Sequence, residues 1–364
     1  MENMEILVSE KIEQAIDQIG TLDYRAMEEC RRRWDSIAKT MYGFGDFEPM
    51  TIRMAGIQGD PYVNIDKRAL VIMCADHGVL EEGVSQSDQE ITAIMTEGFN
   101  HMATSVSVMA ELEHVDLFPV DIGVARDLNP DVINRKVGYG TRNMAKEPAM
   151  TREEAYRSIE AGIDLARELK EKGYQILCVG EMGVGNTTPS SAMASVFLHV
   201  PVAEVTGRGS GLKADKLAHK IKVLEKIIDR YEFDPDDPID TLCKVGGFEI
   251  GGMAGLYIGA AAVSMPVVAD GVISCVAALL AQKLAPRVSS FLFASHVSKE
   301  PAGKMLLEAL EQKAVIDAGM HLGEGTGAVA LMPLLDLALG VYHRMSTFDE
   351  VEIKSYEPYD EDGD

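Results

Sequence analysis

Short apolar runs alternate with longer helical patterns from about residue 66 onward, and this alternation restricts the fold more than any other feature. The runs are apolar at both odd and even positions, as in strands that are buried on both faces of a parallel sheet. Candidate strands lie at 70–75, 115–121, 175–180, 266–270 and 289–295, and candidate helices include 151–172, 187–198 and 301–319. The alternation predicts an α/β fold with an open, mainly parallel, Rossmann-like sheet flanked by helices.

The first 40 residues have a different pattern. Apolar residues recur at helical spacing over 5–20, and 25–40 is a second candidate helix. We therefore predict a small helical N-terminal segment over 1–65, followed by an α/β catalytic domain over 66–340.

The acidic composition excludes several classes of partner. Lys and Arg number 34 and Asp and Glu number 58, which gives a formal charge of −24. Such a charge repels nucleic acid and anionic membrane surfaces, so neither is an expected partner. Pro266 and Asp270 interrupt the most apolar region, so no membrane span is expected there. The N-terminus lacks a signal-peptide pattern, and five scattered cysteines without a CxxC pair indicate a reduced, cytoplasmic protein.

Small and polar residues follow each candidate strand. Because ligands of open α/β sheets bind beyond the carboxyl ends of the strands, these loops predict one shared crevice. The loop GEMGVGNTT, Gly180 to Thr188, has the glycines of a phosphate or ribose cradle, although an ordinary strand-to-helix turn with a cap would also explain them. Glu181 would repel a phosphate, so we expect it to face sugar hydroxyls or a cationic ring.

Three further loops carry candidate site residues. TGRGSGLKADK holds Arg208 and Lys213, with Lys220 beyond it, and these cations suit either a phosphate or a solvated helix start. GGFEIGGMAG would form a poor helix, and its glycines indicate close approach of a ligand or of a neighbouring helix. In HLGEGTGAV, Glu324 precedes an apolar helix; it is either a general base with a raised pKa or a helix-capping acid.

Histidine spacing gives no metal site. No pair of histidines has ligand spacing such as HxxxH, and we expect His77 and His296 to be hydrogen-bonded structural residues.

Taken in order, the motifs resemble those of the nicotinate-nucleotide:dimethylbenzimidazole phosphoribosyltransferase family. They are ADHGV, VSxxxQE, GEMGVGNTT, TGRGSG, GGFEIGGMAG, SHxSxExxG and LGEGTGA, over about 75–330. The resemblance implies transfer of 5-phosphoribosyl from nicotinate mononucleotide to 5,6-dimethylbenzimidazole with anomeric inversion, giving α-ribazole 5′-phosphate and nicotinate without a cofactor or metal. It also implies a homodimer and a small domain to which parts of 341–364 contribute.

The resemblance assigns roles residue by residue. Glu324 would be the catalytic base, and Glu181 would orient the ribose or stabilise positive charge near the anomeric carbon. Candidate substrate-binding residues are Gly183, Gly185, Asn186 and Thr187 for phosphate or ribose, Ser85 and Gln89 for the aromatic base, Ser295 for nicotinate or phosphate, Lys220 and then Lys213 for the phosphate charge, and Gly325 beside the base. Pro301 and Asp88 depart from the expected motifs, and Asp88 lies near the expected base pocket, where it would affect which base is accepted.

Other functions are compatible with parts of the sequence. A related phosphoribosyltransferase would use adenine or a phenol as acceptor, and a non-catalytic sensor would bind the nucleotide without releasing nicotinate. A NAD-dependent oxidoreductase would need an acid about 20 residues beyond its glycine-rich turn, and Glu204 lies at about that distance from Gly185.

Overall fold

The computed structural model describes residues 9–209 and 211–356. The chain forms two compact units: a larger one from the segment up to Gly20 and Ile65–Ala330, and a smaller one from Thr21–Asn64 and the chain from Leu331 onward. The strands are β1 (Arg68–Ala75), β2 (Val115–Gly123), β3 (Ile133–Asn134), β4 (Ile176–Met182), β5 (Val267–Ala269) and β6 (Leu292–Ala294). The helices are α1 (Glu10–Asp17), α2 (Tyr24–Ser36), α3 (Phe47–Gln58), α4 (Glu90–Gly98), α5 (Ser105–Leu112), α6 (Arg152–Glu171), α7 (Thr187–Leu198), α8 (Val202–Val205), α9 (Ala214–Arg230), α10 (Pro238–Val245), α11 (Phe248–Ala262), α12 (Val272–Leu284), α13 (Gly303–Ala309) and α14 (Thr326–Arg344).

The larger unit is built on one parallel sheet with the order β3-β2-β1-β4-β5-β6. All eight residues of β1 are buried, which explains why its sequence is apolar at both parities. The predicted parallel α/β sheet is confirmed, and all five predicted strands are present. The sequence missed β3, whose two residues are too few to give a periodic signal. The strand order reverses between β1 and β4, where a Rossmann-like sheet opens a crevice for ligands.

The glycine-rich segment after residue 247 is a helix, contrary to the expectation from helix propensity. Helix α11 packs so closely on α6 that side chains do not fit between their backbones. A Cβ atom on Gly255 would lie 1.9 Å from the carbonyl oxygen of Ile159, and one on Gly162 would lie 2.0 Å from the carbonyl oxygen of Gly252. Of the two explanations for these glycines, the structure therefore supports a neighbouring helix, and packing overrides the low helix propensity.

Two boundaries differ from the predicted ones. The helix predicted over 301–319 is only α13, since Glu311 has a φ of 53° and Ile316 instead forms a parallel bridge with His296. Helix α1 lies in the larger unit rather than with the other N-terminal helices, because the Lys11 ammonium bonds the Asp164 carboxylate of α6 at 2.5 Å.

The smaller unit has its own aromatic core. The Trp34 indole N–H donates to the Thr51 hydroxyl at 2.7 Å, and the Trp34 ring packs against Phe44 and Tyr342. The Arg33 guanidinium donates to the carbonyl oxygens of Tyr342 and Met345 near the end of α14.

Helix α14 is the one helix of the described residues that is long and apolar enough to cross a membrane. More than half of its most apolar stretch is buried within the protein, as is common for core helices, so it is weak evidence of a membrane span.

Candidate active site

A cavity of about 320 Å³ lies at the carboxyl ends of β4, β5 and β6. Its walls come from the segments that follow these strands, from the start of α4 with the loop before it, and from the loops that precede α9 and α14. The lining residues named below are Val84, Ser85, Ser87, Ile91, Met95, Glu181, Gly183, Gly185, Asn186, Thr187, Arg208, Gly209, Asp270, His296, Glu300, Leu322, Gly323 and Glu324. The predicted shared crevice therefore forms, although the segments directly after β1 and β2, ADHGV and DIGVAR, are not among its lining residues.

The GEMGVGNTT loop is a tight turn between β4 and α7. A Cβ atom on Gly183 would lie 2.3 Å from the carbonyl oxygen of Ala75, and Gly185 has a φ of 86°, so both positions require glycine. The Val184 N–H donates to the Thr92 hydroxyl at 3.0 Å, which ties the turn to α4. The turn brings the N-terminus of α7 to the cavity wall, where a helix favours an anion.

Glu181 is buried at the end of β4. Burial, together with the negative charges of Asp270 and Glu249, raises its pKa to about 8. The Asn186 amide donates to one Glu181 oxygen, so the Asn186 side chain does not cap α7 as the sequence suggested. In the free protein at neutral pH, most Glu181 side chains are therefore protonated and can donate a hydrogen bond.

Glu324 lies in a strained turn opposite the GEMGVGNTT loop. Its φ is 61°, and the glycines on either side, Gly323 and Gly325, have φ values of 89° and 86°. Only a glycine fits at Gly180, since a Cβ atom there would lie 2.7 Å from the Glu324 carbonyl oxygen. This conformation is costly for a non-glycine residue and is typical of functional sites.

The Glu324 carboxylate is half-buried. Burial raises its pKa, and the Val106 N–H lowers it only in part. The Oε2 atom is buried and has no hydrogen-bond partner among the described residues. A carboxylate with a raised pKa and an unused oxygen is suited to accept a proton.

Asp270, which the sequence analysis did not assign to the site, fixes the Glu324 turn. Its carboxylate accepts hydrogen bonds from the N–H groups of Gly325 at 3.1 Å and Gly327 at 2.6 Å, and His296 Nδ1 lies 3.8 Å away. The only signal was its position after a strand, in the segment ADG.

Cationic side chains lie near the part of the cavity wall that the N-terminus of α7 forms. The Lys220 side chain is buried and its ammonium donates to the Thr187 hydroxyl at 2.7 Å, at the N-terminus of α7. Burial lowers the pKa of Lys220 to about 8, and the charge of Glu300 partly opposes this change. Lys220 itself does not line the cavity and reaches its wall through Thr187, whereas Arg208 is a lining residue. Lys213 is exposed at the start of α9 and does not line the cavity.

The remaining predicted residues fall on and behind the cavity wall. Ser85 lines the cavity beside the apolar side chains of Val84, Ile91, Met95 and Leu322, which give a surface suited to a flat ring. Gln89 and Asp88 are exposed and lie outside the lining. Ser295 and Gly325 are buried behind it, and the Ser295 hydroxyl donates to the Asp270 carbonyl oxygen at 3.3 Å.

The dinucleotide-binding alternative finds little support here. Glu204, the acid that a dinucleotide-binding site would need, is exposed on α8 and does not line the cavity. Among the described residues, no group of three or more His, Cys, Asp or Glu side chains is arranged to hold a metal ion.

Comparison with known proteins gives a consistent result. A family model described as phosphoribosyltransferase matches residues 19–353. Proteins named nicotinate-nucleotide–dimethylbenzimidazole phosphoribosyltransferase are 42% identical in Ruminiclostridium cellulolyticum (95% of this chain, 99% of that protein) and 43% identical in Chloroflexus aggregans (93% and 97%). The crystal structure of CobT from Thermus thermophilus superposes with a TM-score of 0.86 at 36% identity, covering 91% of this chain and all of that one.

Proposed function

Because the chain belongs to the nicotinate-nucleotide:dimethylbenzimidazole phosphoribosyltransferase family, we propose that it transfers 5-phosphoribosyl from nicotinate mononucleotide to 5,6-dimethylbenzimidazole. The products would be α-ribazole 5′-phosphate, with the anomeric carbon inverted, and nicotinate. The observation that carries this proposal is the Glu324 carboxylate, which lines the cavity with one buried, unpaired oxygen.

Two parts of the cavity wall suit chemically different parts of the substrates. The apolar wall of Val84, Ile91, Met95 and Leu322 suits the benzimidazole ring. The N-terminus of α7, with Lys220 bonded to Thr187, suits the donor phosphate.

The reaction needs one proton acceptor. One ring nitrogen of the benzimidazole attacks the anomeric carbon, the bond to the pyridinium nitrogen breaks, and its electron pair returns to nicotinate. The other ring nitrogen then loses its proton to Glu324. A general base of this kind contributes roughly 10²- to 10⁴-fold to the rate, and holding the two rings on opposite faces of the sugar contributes further.

Glu181 has a supporting role in this scheme. As a protonated acid that accepts a hydrogen bond from Asn186, Glu181 would donate to a ribose hydroxyl. If Glu181 loses its proton when the donor binds, its carboxylate would stabilise the positive charge that develops at the anomeric carbon.

The decisive experiment measures nicotinate release from nicotinate mononucleotide with and without dimethylbenzimidazole, and with adenine or a phenol in its place. We expect release only with an acceptor, and fastest with dimethylbenzimidazole. Turnover only with adenine or a phenol would select the related transferase, and donor binding without release would select the sensor.

The matched variant is Glu324→Gln, which keeps the shape of the side chain and removes the base. We expect turnover to fall at least about a hundredfold while the Kd for the donor, measured by calorimetry, stays within about twofold. Unchanged turnover would remove Glu324 from the mechanism.

We further propose that the enzyme is a cytoplasmic homodimer, as the family resemblance implies. Free cysteines at all five positions are consistent with a reducing compartment. Light scattering coupled to size exclusion checks the dimer, and a monomer at micromolar concentration would contradict it.

A further inference from the structure

A buried pair of charged side chains lies behind the cavity and has no role in the chemistry above. His77 Nε2 lies 3.2 Å from Glu249 Oε1, and the two side chains are 1% and 0% exposed. Neither residue lines the cavity, and neither ring nitrogen of His77 nor either oxygen of Glu249 has an aligned hydrogen bond within the described part of the chain. The contact is therefore mainly electrostatic.

The histidine carries a positive charge over a wider pH range than usual. Burial by itself lowers the pKa of His77, but the facing charge of Glu249, with a smaller contribution from Asp76, more than offsets it, so the net pKa is raised. A buried ion pair is costly to form and very costly to break, so its retention calls for an explanation.

The pair packs against the GEMGVGNTT loop, Gly180 to Thr188, which we call the donor loop. A Cβ atom on Gly183 would lie 3.2 Å from His77 Nε2, so the imidazole packs directly against the backbone of this loop. A Cβ atom on Gly247 would lie 2.5 Å from a Glu249 oxygen and 2.7 Å from His77 Cε1. Only a glycine at position 247 leaves enough room for the side chains of the pair.

The charge of Glu249 also raises the pKa of Glu181, after burial and the carboxylate of Asp270, while the Asn186 amide lowers it and Glu324 raises it slightly. Of the three carboxylates, Glu249 is the one that does not line the cavity, and His77 lies 3.2 Å from it.

We propose that His77 and Glu249 are positioning residues: the buried pair supports the Gly183 turn of the donor loop, two residues beyond Glu181. The inference rests on the proposed function for what Glu181 does, but the arrangement itself can be tested without turnover.

The first test is a double-mutant cycle on His77→Gln and Glu249→Gln, read as Tm and as the Kd for the donor, measured by calorimetry. Because the pair supports the donor loop, each single variant should also bind the donor more weakly. We expect each single variant to lose stability, and the variant carrying both substitutions to be more stable than the worse of the two. Strictly additive losses in Tm would show that the two side chains do not interact, and would overturn the proposal. If the single variants do not fold, a double variant that folds supports the pair, and one that does not fold contradicts it.

The second test follows the protonated carboxyl stretch of Glu181 by infrared spectroscopy during a pH titration, with the band identified by its loss in Glu181→Gln. In Glu249→Gln and in the double variant, the midpoint should move to lower pH by about one unit, because a neighbouring negative charge is gone. Glu48→Gln, which removes a buried acid of the smaller unit, is the matched control and should leave the midpoint unchanged.

An unmoved midpoint in both Glu249 variants would refute the electrostatic role. Failure of the wild-type protein to release nicotinate would count against the proposed function alone, since neither the Tm cycle nor the titration requires catalysis.

Discussion

At the scale of single residues, burial sets the charge of the groups around the cavity. Glu181 and Lys220 both have a pKa of about 8, one raised and one lowered, because water is excluded from each. The acid is therefore largely neutral at pH 7, whereas the lysine is charged but close to losing its proton. Both groups therefore change charge between about pH 7 and pH 9.

Donor affinity should consequently fall as the pH rises through about 8. In the proposed function the protonated lysine attracts the donor phosphate to the N-terminus of α7, and above the pKa of Lys220 its protonated fraction falls about tenfold per pH unit. Calorimetry with nicotinate mononucleotide from pH 7 to 9.5 checks this expectation. In Lys220→Arg the charge persists, so the part of the pH dependence that Lys220 causes should vanish and only the part from Glu181 should remain. Lys213→Met, an exposed control, should behave like the wild type. A constant wild-type Kd up to pH 9.5 would count against Lys220 as the phosphate cation.

At the scale of elements, the contact between α6 and α11 decides where the sheet is covered. Their backbones touch at Gly162 and Gly255, where an added Cβ atom would lie 2.0 Å and 1.9 Å, respectively, from a carbonyl oxygen of the other helix. Since α11 also carries Glu249, this contact helps to fix the pair beneath the donor loop.

Gly255→Ala should therefore destabilise the protein through overpacking, by about 1–3 kcal/mol or more. Urea unfolding followed by circular dichroism measures the change. The control is Gly20→Ala, where nothing lies within 4 Å of the added carbon and the effect should be within about 1 kcal/mol of zero. Equal stability of the two variants would mean that the helices separate at little cost.

At the scale of the whole molecule, the protein consists of two units with separate buried cores. The single tryptophan, Trp34, belongs to the smaller unit, whereas Cys74, Cys178, Cys243 and Cys275 belong to the larger one. Because units with their own cores often unfold in separate transitions, one free energy of unfolding is not expected to describe this chain.

A Cys30→Ala variant makes the two units separately visible. In increasing urea, Trp34 fluorescence reports the smaller unit, and labelling of the remaining thiols reports the larger one. We expect the two midpoints to differ. Coincident curves, at matched protein concentration and with reducing agent removed, would indicate a single cooperative transition.

Local sequence patterns predicted the sheet and its five longer strands, because a strand buried on both faces must be apolar at both odd and even positions. They also predicted loops that line the cavity. The sequence also placed Glu181, Glu324, Asn186 and Ser85 in one site, through motifs that each occupy a few consecutive residues.

Other features depended on contacts between residues far apart in the chain. Lys213 and Lys220 look alike in sequence, and only folding buries one beside Thr187 and leaves the other exposed. The helix at Phe248–Ala262 and the roles of Asp270 and Glu249 were missed for the same reason. Close packing can override helix propensity, and the charge of a buried acid depends on its neighbours in space, so both were decided by the tertiary structure alone.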